Sequence, residues 1–218
     1  FAGDLLVPEE DLRSRLRIRK GDLFSRERLT ESTKLMTDRL ANEGYAFAQV
    51  NPVPEIDRVK REVAFTLYVD PGRRVYVRRI NIAGNTTTRD EVIRREFRQM
   101  EGGWYSQEKI NRSKVRVDRL GYFSEANVET PPVAGTPDQV DVNMTVKERP
   151  TGSISFGAGV SSAEKLILSA SISQQNAFGT GNALSLSLQN GRINRIISLS
   201  YTNPYWTDDG VSRGFDLY

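Results

Sequence analysis

The sequence predicts two α+β repeats, each of order β-α-α-β-β, followed by antiparallel transmembrane β-strands of a truncated barrel. Three observations predict this fold. The first 150 residues repeat themselves, the charges nearly stop at Pro150, and the residues beyond it alternate between apolar and small polar side chains. The chain has 218 residues, 38% of them hydrophobic and 27% charged. After Pro150 only Glu164, Lys165, Arg192, Arg195, Asp208, Asp209, Arg213 and Asp216 carry charge, so the two parts meet different solvents.

The repeat is read from paired positions. Ala2-Gly3-Asp4 and Ala83-Gly84-Asn85 stand 81 residues apart, and at that offset Leu12 meets Ile93, Leu16 meets Phe97, Gly21 meets Gly102 and Leu29 meets Ile110. Later the offset shortens, so that Asp38-Arg39-Leu40 matches Asp118-Arg119-Leu120 and Gly44-Tyr45 matches Gly121-Tyr122.

Each repeat presents its elements in the same order. A strand from Val75 to Ile82 ends in a Gly-Asn turn. A short helix follows, with Ile93 and Phe97, or Leu12 and Leu16, on one face. Ser25 and Ser106 then stand as N-caps, with Glu27 and Glu108 near the positive end of a second helix. That helix buries Leu29, Met36 and Leu40, or Ile110, Val117 and Leu120, and stops at Gly44 or Gly121. Two strands close each repeat, and the last shows Val63, Phe65, Leu67 and Val69, or Val140, Val142, Met144 and Val146, at alternate positions. The first repeat lacks most of its opening strand, and the sequence is expected to be cut from a longer chain at both ends. Pro71-Gly72 is too short to act as a flexible linker, so the repeats are expected to be nearly rigidly coupled. The expected boundaries are 1–72, 73–150 and 151–218.

From Ser153 to Val160, Ile154, Phe156, Ala158 and Val160 alternate with Ser153, Ser155, Gly157 and Gly159. The same pattern recurs around Leu166 to Ser173, Leu184 to Gln189 and Ile197 to Thr202, and a fifth strand begins near Ser212. Strands of about ten residues suit a tilted bilayer crossing. A soluble sheet with one face on a core would alternate too. Its wet face would carry Lys, Glu and Thr, whereas here it carries Ser, Gly and Gln, with charges confined to turns. The turns after the second and fourth strands share a side with the repeats and hold Phe178, Tyr205 and Trp206, an aromatic girdle at one interface. Arg192 and Arg195 fall on the opposite side, as a solvated pair or a contact for lipid phosphates.

Composition also excludes chemistry. There is no histidine and no cysteine, which removes imidazole acid–base catalysis, thiol nucleophiles, redox pairs and the common zinc sites. No catalytic residue, metal or cofactor is expected, and the chain does not read as an enzyme. Asp208-Asp209 are adjacent in a turn with no third ligand, a poor metal site. The formal charge of +3 comes from interleaved positive and negative residues, so no nucleic acid is expected. No run of 18 apolar residues exists, and Phe1-Ala2-Gly3-Asp4 is not a signal peptide.

Specific segments carry a family resemblance. They are Arg94-Arg95-Glu96-Phe97-Arg98-Gln99-Met100-Glu101-Gly102, Asp118 to Phe123, Pro137 to Val142, Val146-Lys147-Glu148-Arg149, Gly179-Thr180-Gly181 and Thr202 to Ser212. Together they resemble the BamA family, central subunits of the machine that assembles β-barrels in the bacterial outer membrane. The resemblance implies that the repeats are the last two periplasmic POTRA domains and that the strands begin the barrel. It implies insertion of unfolded outer-membrane proteins into the lipid by strand templating at POTRA edges and at a lateral seam, whose first strand would be Ser153 to Val160. Gly157 and Gly159 would loosen that seam, or merely relieve crowding in the lumen. It further implies docking of the lipoprotein BamD, beside other lipoproteins, with Arg94 and Glu101 at contact positions and Glu101 facing a basic residue. The alternatives are a two-partner secretion transporter, a TamA-type protein, or a soluble tandem peptide-binding module.

Overall fold

The computed structural model describes residues 1–162 and 165–218. Glu164, counted among the turn charges, lies outside them. The first repeat comprises β1 (Ala2–Gly3), α1 (Glu9–Ser14), α2 (Arg26–Asn42), β2 (Gln49–Asp57) and β3 (Glu62–Asp70). The second comprises β4 (Tyr76–Ala83), α3 (Asp90–Arg94), α4 (Gln107–Arg119), β5 (Phe123–Glu129) and β6 (Gln139–Glu148). Both follow the expected β-α-α-β-β order, and the two sheets share one topology, β1-β3-β2 and β4-β6-β5. Five strands follow, β7 (Gly152–Ser161), β8 (Lys165–Ala177), β9 (Asn182–Asn190), β10 (Arg195–Asn203) and β11 (Arg213–Leu217). They form one antiparallel sheet in sequence order that does not close. No helix among the described residues is long and apolar enough to cross a membrane.

Two compact units divide the chain. One holds Phe1–Asn81, Arg98–Ser113 and Val128–Asn143, the other Ile82–Phe97, Lys114–Asn127 and Met144–Tyr218. In the first, Leu12, Leu29, Met36, Leu40, Val50, Leu67 and Val69 form the core between helices and sheet. Met36 is fully buried, so Met36→Ala is expected to cost about 2–5 kcal/mol through lost contacts and the cavity left behind. A urea titration of the first unit's unfolding checks this.

Local chemistry sets the element ends. Ser25 accepts from Arg28 N at 3.3 Å and Ser106 from Lys109 N at 3.4 Å, as N-caps should. Leu16 and Phe97 lie past the ends of α1 and α3, which are shorter than the periodicity suggested. Gly3 and Gly84 explain the repeat's shared glycine. At φ of 98° and 87°, a Cβ would stand 2.2 Å from Val69 O or 2.0 Å from Val146 O, so the turn after the first strand closes onto the last strand only without a side chain.

The linker is short and pinned. Val75 N donates to Gly44 O at 2.8 Å, Arg74 Nε to Glu43 O at 2.8 Å, and Glu108 N at the start of α4 to Asn42 Oδ1 at 2.8 Å. The last helical residue of one repeat thus caps a helix of the next. Pro52 and Pro54 face Leu67 and Phe65 across the β2–β3 ladder. Proline has no N–H to give the ladder, so both sit where the backbone of this edge strand turns away from β3.

Candidate interaction sites: a braced loop, a strap to the strands and the first strand

The loop from Arg98 to Tyr105 is built around a buried glutamine. Gln99 is 1% exposed. Its Nε2 donates to Met100 O at 3.2 Å and Trp104 O at 3.0 Å, and its Oε1 accepts from Ser106 N at 3.1 Å. One side chain thereby satisfies three backbone groups that a loop would otherwise leave orphaned. Gly102 N donates to Val77 O at 2.7 Å and Val77 N to Gly103 O at 2.9 Å, which lays the loop along β4. Glu101, exposed at the tip, accepts from Ile80 N at 2.7 Å. Arg94 is held on α3 by Asp90 at 2.8 Å.

A second polar site straps the last repeat to the strands. Glu148, the last residue of β6, accepts from Thr86 Oγ1 at 2.7 Å, Thr88 N at 2.6 Å and Thr87 N at 3.0 Å. Burial alone would raise its pKa, but these donors outweigh it and hold the carboxyl at about 2. Buried Thr88 accepts from Asn176 Nδ2 at 2.8 Å, and Asn176 Oδ1 accepts from Gly181 N at 2.8 Å. Arg89 N donates to Gly179 O at 2.9 Å, and Tyr122 donates its hydroxyl to Gly181 O at 3.2 Å. Burial pushes the Tyr122 phenol up. The Gly179-Thr180-Gly181 turn is therefore seated against the segment from Thr87 to Arg95.

Beside it, Arg116 pairs with buried Glu96 at 2.7 Å and donates to Tyr205 Oη at 3.0 Å, while the Arg95 guanidinium lies 4.2 Å from the Tyr205 ring centre. The turns after β8 and β10 thus meet the repeat, on the side the strand count required. Tyr205, expected in the girdle, has its ring and hydroxyl held by these two arginines of the repeat. Phe178 is 88% exposed, and Trp206 is exposed with Arg213 stacked 4.3 Å from its centre. Across the sheet, Arg195 donates to Asn190 at 2.9 Å in the turn after β9.

The third site is the first of the five strands. Ser153 to Val160 lie in β7, which among the described residues pairs with β8, Ser153 opposite Ser173 and Val160 opposite Leu166. Phe156 and Val160 are 83% and 87% exposed on the apolar face. On the other face serines bond one another sideways, Ser153 to Ser173 at 2.8 Å and Ser187 to Ser198 at 2.5 Å. The two glycines differ. A Cβ at Gly157 would stand 2.6 Å from Ser169 Oγ, whereas one at Gly159 would meet nothing within 4 Å. Within this sheet a side chain at Gly157 would crowd Ser169, and one at Gly159 would not.

Gln99, Glu148, Arg95, Glu96 and Arg116 were not singled out as sites from sequence, and Tyr205 was expected only in the girdle. The only signal was that most of these residues fall within the family segments.

Comparison with known proteins agrees with this architecture. The POTRA profile, described as a surface antigen variable number repeat, matches residues 1–72 and 75–149, and the Omp85 superfamily domain matches 176–218. The outer membrane protein assembly factor BamA of Neisseria meningitidis is 42% identical over 97% of this chain, and that of Nitratidesulfovibrio vulgaris 32% identical over 100%. The chain spans only 27% and 28% of these relatives. The crystal structure of Haemophilus ducreyi BamA lacking POTRA domains 1-3 superimposes with a TM-score of 0.86 at 37% identity, covering 99% of this chain and 41% of that one. Haemophilus influenzae BamA POTRA3-5 gives 0.63 at 36% identity, covering 67% and 58%. With its repeats in the periplasm and its strands in the bacterial outer membrane, the chain belongs to the BamA family of Omp85 proteins.

Proposed function

We propose that this chain is part of the central subunit of the outer-membrane β-barrel assembly machine, which folds and inserts other outer-membrane proteins without a catalytic step or cofactor. The observation that carries the reading is the direct join of a POTRA repeat to antiparallel strands, with only residues 149–151 between β6 and β7. A strand edge in lipid has no water to satisfy its N–H and C=O groups, so it must pair with another strand. An incoming substrate strand meets that need by templating along Ser153 to Val160, and POTRA edges offer the same chemistry in the periplasm. The working boundaries are POTRA domains at 1–72 and 73–150 and barrel strands at 151–218. The last POTRA domain docks BamD with Arg94 and Glu101 at contact positions, other lipoproteins complete the assembly, and Phe178, Tyr205 and Trp206 anchor the strands at the lipid interface. A two-partner secretion transporter or TamA-type role is less favoured, because relatives matching nearly the whole chain at 42% and 32% identity are assembly factors.

The test is photocrosslinking in the full-length protein in intact envelopes. A probe at Ser155 is expected to capture an unfolded outer-membrane protein during its assembly, one at 101 a periplasmic lipoprotein, and one at Arg192 neither. Silence at 155 while substrate is being assembled would overturn the seam, and adducts at 101 only to a secreted passenger would move the chain to the transporter class.

A further inference from the structure

The chain offers a two-electron oxidant one open sulfur. It contains no cysteine and three methionines, and where thiols are absent the thioether is the side chain such oxidants attack first. Met36 and Met144 are each 0% exposed in the core of their repeats, whereas Met100 is 68% exposed on the loop between α3 and α4. That loop is ordered beneath the side chain. The Met100 carbonyl accepts from Gln99 Nε2 at 3.2 Å and from Gly103 N at 3.3 Å, and Gly102 N donates to Val77 O at 2.7 Å.

An added oxygen means different things at the three positions. A sulfoxide at Met36 or Met144 places a polar group in a packed core and damages the fold. At Met100 the oxygen stands in water. The bonds that hold the loop are made by backbone groups and by Gln99 and Glu101, not by the sulfur. The backbone therefore keeps its path while the surface next to Glu101 turns from apolar to strongly polar.

We propose that Met100 is a reversible oxidation site, and that its sulfoxide is the state in which this loop releases its partner. The proposal rests on the docking reading above and adds a control to it. In the step itself the thioether sulfur gives a lone pair to the chlorine of hypochlorous acid and hydroxide leaves. Water then bonds to sulfur as chloride leaves, and its protons pass to the hydroxide and to solvent. Sulfur loses two electrons and chlorine gains them. The new oxygen is a strong hydrogen-bond acceptor, and a partner that covers Met100 with apolar groups strips it of water and gives nothing in return. The exposure that admits the oxidant also admits a methionine sulfoxide reductase, which removes the oxygen and restores the thioether.

The test treats the full-length protein in detergent with a limiting amount of hypochlorous acid and then mixes it with BamD. Peptide mass spectrometry is expected to find the added oxygen on Met100 at least about tenfold more often than on Met36 or Met144, with hydrogen exchange at the Ile80 amide unchanged. Retention of BamD is expected to fall about tenfold on oxidation and to return after treatment with the reductase. Met100→Leu, apolar but without sulfur, is expected to keep through the treatment whatever BamD it binds before it, which separates Met100 from every other oxidised group. Met100→Gln carries a polar amide from the start and is expected to bind as the oxidised protein does. Equal oxidation of the three methionines, or the same loss in Met100→Leu, would overturn the proposal. So would full retention by the oxidised protein while Glu101→Lys releases BamD, since docking would then stand without the switch. Full retention by the oxidised protein and by Glu101→Lys alike would remove the docking reading, and the switch with it.

Discussion

Gly179→Ala is expected to unseat the turn after β8 from the last POTRA domain. The residue has φ of 72°, and a Cβ there would stand 1.9 Å from Thr87 O and 2.8 Å from Thr87 C. Both are backbone atoms, so no side chain can swing aside. The turn must lift, which takes the Arg89 N to Gly179 O bond with it and pulls Gly181 from Asn176. The conformational cost alone is about 1–2 kcal/mol, and the lost hydrogen bonds bring the total to about 3–5 kcal/mol. Gly135→Ala is the control, because its φ of 81° is similar but a Cβ would meet nothing within 4 Å. Hydrogen exchange at the Arg89 and Gly181 amides is expected to rise strongly in the first variant and stay unchanged in the second. Equal behaviour would mean that conformation, not the close approach, governs this glycine.

Glu148 gives the second large effect, and its sign follows from its pKa. The folded value of about 2 lies below the ordinary 4.5. The unfolded chain therefore binds the proton more readily. Stability from this group is complete above pH 4.5 and is lost as pH falls from there toward 2. After discounting for the solvent that still reaches the carboxylate, its contribution is about 1–2 kcal/mol. Glu148→Gln keeps the acceptor oxygen but not the charge, so the difference between wild type and variant is expected to be largest near neutrality and to vanish at low pH. Glu148→Ala also strands the Thr87 and Thr88 amides and is expected to cost more, about 2–3 kcal/mol. Denaturant titrations across pH check both. A wild-type-to-Gln difference that does not change with pH would mean that the carboxylate's charge adds nothing to the strap.

The architecture was legible in sequence wherever a period or a repeat expressed it. The strands after Pro150 follow alternation because lipid and lumen ask for opposite side chains at every second position, and the 81-residue register forced two copies of one unit. The helices ended sooner than their apolar spacing implied, since Leu16 and Phe97 reach the core from irregular chain beyond α1 and α3. The sites were legible by position and not by role. Gln99 stands between Arg98 and Met100 and looks like surface. Its value comes from three backbone groups gathered by the loop's path, which no periodicity records. Glu148 likewise reads as a solvated charge, because Thr86, Thr87 and Thr88 lie some sixty positions earlier. Tyr205 reads in sequence as a girdle aromatic, and its contacts with Arg95 and Arg116, far off in the chain, leave no trace in any local pattern.

Pro52 and Pro54 bear on what the outer edge of β2 can pair with. Along the outer side of β2 they leave carbonyls in place while deleting two neighbouring donors, so an extended segment lying there can give hydrogen bonds but receives few in return. Such an edge is a weaker template than one that both gives and receives hydrogen bonds. The free side of β2 is thereby guarded by its own composition, open to donors and poor in them itself.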